Sequence, residues 1–203
     1  MLTTTQTLGY RGQPTGRCEY LTMAFSPLNT PLRSRWRNNG LSADFLGDYV
    51  ITFLPADAVN PATERLQNEI KHAVTYIANE LLENAMKYHD HQVNIPIGIL
   101  LELAADRVTV SSTNGIGVIQ FERYQAFVEH MLEQDPAGLL VKQLEENAIG
   151  SVSNKSCLGL LTMITDYGAQ LGWKFEAHPA YPEIMTVTTS AVLPLSSLRG
   201  ESQ

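Results

Sequence analysis

Apolar residues recur at helical spacing over one long stretch of the chain: Leu66, Ile70, Ala73, Val74, Ile77, Leu81 and Ala85. Pro61 suits a first helical turn and Asn60 can cap it, so the pattern predicts a helix from Pro61 to about His89. Beyond it, Ile95 to Leu103 is a largely apolar run, Ala104-Ala105-Asp106 breaks it, and Arg107 to Ser112 resumes with alternating character. That pair predicts a β-hairpin. Phe121 to Gln134 and Leu139 to Glu146 read as helices joined by Asp135-Pro136-Ala137-Gly138, and Leu158 to Leu171 as another. Trp173 to Ala177 and Met185 to Pro194 read as strands flanking the turn His178-Pro179-Ala180-Tyr181-Pro182. Residues 1–40 are polar and rich in Gly and Pro. Cys18 to Phe25 favours one strand there, and Leu41 to Phe53 a short helix or strand.

The long helix carries polar groups beside its apolar stripe. At about 100° per residue, Asn84 lies roughly 40° round from Glu80 and Lys87 roughly 20° the other way. A carboxylate, a carboxamide and an ammonium thus share one edge. Such an edge can line a cleft, or it can be a solvated boundary with Glu83 and Lys87 as an i,i+4 pair. His89-Asp90-His91 follows; without a third ligand nearby it reads as a solvated turn rather than a metal site. Trp36, among Arg33, Arg35 and Arg37, suits either a docking site or a residue that tucks the N-terminal segment against the body.

Composition narrows the classes. At 203 residues, 44% apolar and 17% charged, the chain reads as one globular α/β domain with a substantial core. A net charge of −7 argues against nucleic-acid binding, which needs clustered cations. Two distant cysteines, Cys18 and Cys157, fit a reducing, cytoplasmic setting. No apolar run reaches membrane-spanning length.

The string Glu80-Leu81-Leu82-x-Asn84-Ala85-x-Lys87-Tyr88 resembles the N-box of the GHKL (histidine-kinase-like ATPase) superfamily. The resemblance extends to Thr113-Asn114-Gly115-Ile116-Gly117, placed where the first glycine box is expected, and to Lys155-Ser156-Cys157-Leu158-Gly159-Leu160, similar to the second. It covers about residues 60–196. It implies a Bergerat-type α+β sandwich, a mixed β-sheet with helices on one face, over residues 49–203. Residues 1–48 would then be an N-terminal extension that adds a strand or a dimer contact. By the resemblance, Glu80 is the catalytic residue and Asn84 the Mg²⁺ ligand, a role one carboxamide plus nucleotide phosphates can fill. Lys87, Tyr88, Thr113, Asn114, Gly115, Gly117, Lys155, Ser156, Leu158 and Gly159 complete an ATP site. Thr113 stands where the family has the adenine-reading Asp, and Lys155 and Cys157 replace two glycines. Residues 121–146 would form the lid over the triphosphate.

A free-standing domain of this kind is similar to the anti-sigma-factor serine kinases and the SiaB-like protein kinases of bacterial partner switching. The resemblance therefore implies an ATP-dependent protein serine/threonine kinase acting on a STAS-like partner, with Mg²⁺ as cofactor and a homodimer as one possible state. The departures at Thr113, Lys155 and Cys157 support an alternative: a non-catalytic protein of the same fold that sequesters its partner. Replacing the adenine-reading carboxylate also opens the question of guanine.

Overall fold

Period-two burial in two neighbouring stretches builds the centre of the molecule. In the computed structural model, which describes residues 5–10, 18–26, 36–54, 61–148 and 155–195, these are β3 (Ile97–Leu103) and β4 (Arg107–Gly117). Ile97, Ile99, Leu101 and Leu103 alternate inward, opposite Val108 and Val110. On β4 pairs β6 (Ile184–Pro194), and on β6 pairs β5 (Gln170–Ala177). The N-terminal segment supplies both outer strands, β1 (Gln6–Gly9) beside β5 and β2 (Glu19–Phe25) beside β3. The order is β1-β5-β6-β4-β3-β2. Every pairing is antiparallel, where a mixed sheet was expected.

Helices cover one face of this sheet. The longest, α2 (Pro61–Tyr88), buries Ile70, Ala73, Val74, Ile77, Ala78, Leu81, Leu82, Ala85 and Met86, the stripe its periodicity predicts. It lies over β3 and β4. The helix α1 (Trp36–Ile51) packs on α2 through Ala43, Leu46 and Val50, and settles the ambiguous segment as helical. Gly47 is required there, because a Cβ would strike Thr75. The expected boundary at 48/49 falls inside this helix. The side chain of Trp36 lies outside the described residues.

The remaining helices are α3 (Val118–Glu133), α4 (Pro136–Ala148) and α5 (Lys155–Thr165). Helix α5 ends six residues before the predicted limit of Leu171. Gly168, at φ 63, lets the chain turn, and Leu171 already belongs to β5. The opposite face of the sheet carries small hydroxyls, with Ser111 bonded to Ser190 and Thr113 to Thr188. The result is a two-layer α/β sandwich of six strands and five helices among the described residues.

Candidate functional site

The polar edge of α2 meets three different surroundings. Glu80 leans on α5: its carboxylate occupies the place where a Cβ at Gly159 would be, so a larger residue there would displace the carboxylate. Burial raises the pKa of this half-buried carboxyl, and the nearby Glu83 raises it further. A carboxylate of raised proton affinity is suited to accepting a proton. Asn84, one turn on, faces the sheet. Its side-chain nitrogen is buried and has no hydrogen-bond partner among the described residues. Lys87 is exposed, its ammonium 5.1 Å from the ring centroid of Tyr88.

Asn84 opens onto a small cavity lined also by Ala85, Tyr88, Ser112, Asn114, Ile116, Tyr124, Val187 and Thr189. About 10 Å³ is open to the centre of a water molecule, room for one. Tyr124, from α3, forms one wall. Its hydroxyl accepts a hydrogen bond from the indole N–H of Trp173 at 3.0 Å, and its ring lies 5.5 Å from that of Tyr88. Helix α3, part of the segment expected as a lid, thus directs an aromatic ring toward this site.

The segment placed at the first glycine box is extended strand. Residues 113–117 continue β4 and pair with β6 as far as Gly117–Ile184. Pairing along the full length of β6 outweighs the local turn preference of two glycines. Strand alternation then separates the five residues. Asn114 points inward with Ser112 and Ile116, whereas Thr113 turns to the open face and bonds Thr188 at 3.1 Å. Of the two side chains that could stand in for the adenine-reading carboxylate, Asn114 lies on the Asn84 side of the sheet and Thr113 on the far side. Gly115 and Gly117 also project to the open face. A Cβ at Gly115 would meet Ile95 and Ile184 at about 3 Å, and one at Gly117 would meet Asp90.

The end of α2 is tied to this strand. The Gly115 amide donates to Nδ1 of His89 at 3.3 Å, and the Gly115 carbonyl accepts from the Asp90 amide at 2.8 Å. His89 is 3% exposed, so the solvated turn expected at His89-Asp90-His91 is half wrong: His89 is buried and His91 is outside. Burial, with a smaller contribution from His91 and against the pull of Asp90, lowers the His89 pKa to about 4.

Of the expected site residues, the structure brings Asn84, Tyr88 and Asn114 to one cavity, and Glu80 and Gly159 to one helix contact. Leu158 is half-buried beside Gly159. The side chains of Lys155, Ser156 and Cys157 lie outside the described residues. Ser112, Tyr124 and Thr189 line the cavity and were not anticipated. The inward alternation begun at Val108 and Val110 would have found Ser112 and Asn114, two polar residues where the period calls for apolar ones. Nothing local marks Tyr124, which lies on a different element.

No family profile and no curated protein matches the chain. Among solved structures, a chain of the SiaB–SiaC complex from Pseudomonas aeruginosa shares the fold. The TM-score is 0.55 and the identity 17%, and the match covers 85% of this chain and 89% of that one. The two have one architecture. No helix among the described residues is long and apolar enough to cross a membrane.

Proposed function

We propose that this protein is a cytoplasmic, ATP-dependent protein serine/threonine kinase that acts as a partner switch on a STAS-like regulator. The observation that carries the reading is the placement of Glu80. A half-buried carboxylate of raised pKa is held against the Leu-Gly-Leu helix by a glycine, one turn from an unsatisfied amide at a polar cavity. The neighbour of known structure is a complex of two proteins, SiaB and SiaC, which supports a role carried out on a partner.

In this reading Glu80 accepts the proton of the incoming Ser or Thr hydroxyl. That oxygen bonds to the γ-phosphorus as the bond to ADP breaks, and ADP leaves with the electron pair. Lys87 and the start of α5 offset phosphate charge. Asn84 offers a hard carboxamide oxygen of the kind Mg²⁺ takes, while its unpartnered amide nitrogen is a donor suited to an oxygen of the nucleotide rather than to the ion. When bound, the ion would neutralise phosphate charge. Asn114, rather than Thr113, is the strand residue available to a ligand on this side of the sheet.

One observation favours a second reading, a non-catalytic protein that sequesters its partner. With Tyr124 between Tyr88 and Trp173, the cavity admits a water molecule, whereas ligand pockets run to about 300 Å³ or more. Kinase activity requires α3 to withdraw that ring.

Calorimetry with Mg-ATP, followed by incubation of the purified protein with labelled ATP and a STAS-like partner, separates the two. The kinase reading expects binding heat, label on the partner, and loss of transfer by at least about 100-fold in Glu80→Gln. Absence of heat at millimolar nucleotide, or transfer unchanged in Glu80→Gln, sinks it. Partner binding without nucleotide binding establishes the second reading.

A further inference from the structure

We infer that helix α4 is a docking surface for a basic amphipathic helix of a partner protein, whatever chemistry the cavity beside Asn84 performs. Helix α4 is 13 residues long. A helix of that length has little stability of its own and depends on burying an apolar face. Its inner face does so incompletely. Leu139 and Leu140 are half-buried against the core, and none of the described side chains of α4 is fully buried. A second apolar face is turned to solvent. At about 100° per residue, Ala137, Val141, Leu144 and Ala148 fall within roughly 60° of one another. Val141 is 56% and Leu144 53% exposed, and both alanines are exposed. This i, i+4, i+7, i+11 spacing is the one by which a helix presents a seam to another helix.

Charge decides which helix that is. From Val118 to Ala148 the chain carries six carboxylates against two cations, Arg123 and Lys142, more than half of the net charge of −7. All six but Glu146 are exposed. Three of them border the stripe. Glu145 lies about 40° round the helix from Val141. Asp135 accepts a hydrogen bond from the Gly138 amide at 2.8 Å, at the first turn of α4, and Glu133 lies two residues before it. Nucleic acid and anionic lipid would be repelled by this edge, and a second copy of α4 would bring the same carboxylates against it. A helix with Lys or Arg flanking its apolar face meets both the stripe and its edge.

The probe is a fluorescein-labelled peptide of Leu and Lys, with Leu at i, i+3, i+4 and i+7 positions, titrated into the full chain and read by anisotropy. A control peptide carries Glu in place of every Lys. The Leu/Lys peptide is expected to bind saturably, and the Leu/Glu peptide at least about 10-fold more weakly. Val141→Gln/Leu144→Gln keeps good helix formers at two exposed sites, so its melting temperature should hold while its affinity for the Leu/Lys peptide falls at least about 10-fold. Glu133→Gln/Glu145→Gln should lose most of the salt dependence of binding. A Leu/Lys peptide that does not saturate, or that binds the glutamine variant of the stripe as tightly as the native chain, overturns the proposal. So does equal affinity for the two peptides. Light scattering of the unliganded protein closes the remaining route: a dimer that Val141→Gln/Leu144→Gln dissociates would assign the stripe to a second copy and refute the basic partner.

Discussion

Acidification should destabilise this fold through His89, by an amount the structure permits one to work out. The ring is buried, its Nδ1 accepts the Gly115 amide, and its pKa is lowered from 6.5 to about 4. The unfolded chain therefore binds the proton more readily than the folded one. The stabilisation is essentially complete above pH 6.5 and is lost as pH falls toward 4. A gap of about 2.5 units at 1.36 kcal/mol each gives at most about 3 kcal/mol, with about 2 kcal/mol gone by pH 5. Carboxylates titrate in the same range, so the perturbation is His89→Asn, whose amide oxygen can replace Nδ1 as acceptor but does not titrate. Urea unfolding of both proteins is followed from pH 4 to pH 8. The variant is less stable at neutral pH, having lost ring packing. The quantity to read is the wild-type minus variant difference, expected to fall by about 2–3 kcal/mol between pH 7.5 and 4.5. A difference constant to within about 0.5 kcal/mol would show that protonating His89 does not oppose folding, and the reasoning from burial would fail.

Two substitutions probe the site from either side. Gly159→Ala adds a methyl where the Glu80 carboxylate lies. The helix gains up to about 1 kcal/mol of propensity, so the melting temperature should hold. On the kinase reading, phosphotransfer to the partner should nevertheless fall about 100-fold because the proposed proton acceptor is displaced, and undiminished transfer would mean the Glu80–Gly159 contact is only packing. Tyr124→Phe keeps the ring and removes the acceptor of the Trp173 indole N–H. Leaving that buried donor unpaired should cost about 1–3 kcal/mol in urea unfolding, and a loss under about 0.5 kcal/mol would contradict the bond's importance.

Legibility from sequence differed between elements for physical reasons. The helix Pro61–Tyr88 was readable almost to the residue, because its apolar repeat and proline start act within a few turns. Strand β1 was missed: four residues, Gln-Thr-Leu-Gly, have no strand signal of their own and exist as a strand because the β5 edge pairs with them. The motif residues Asn84 and Gly159 lie at the cavity and at the α2–α5 contact, while Thr113 lies on the far face of the sheet. Glycine spacing could align Thr113 with a known box but could not show which face of the sheet it would take.

By itself, the order of amino acids determined the long helix α2, the helices α3 and α4, the central hairpin and the polar edge of α2, since periodicity, caps and turns are local properties. Tertiary structure alone decided that the glycines 115 and 117 would be extended, that Glu80 would face α5, that Tyr124 would line the cavity beside Asn84, and that His89 would be buried. Each of these depends on pairing or packing with a distant segment. The energy of such a contact belongs to neither partner alone, so no window along the chain contains it.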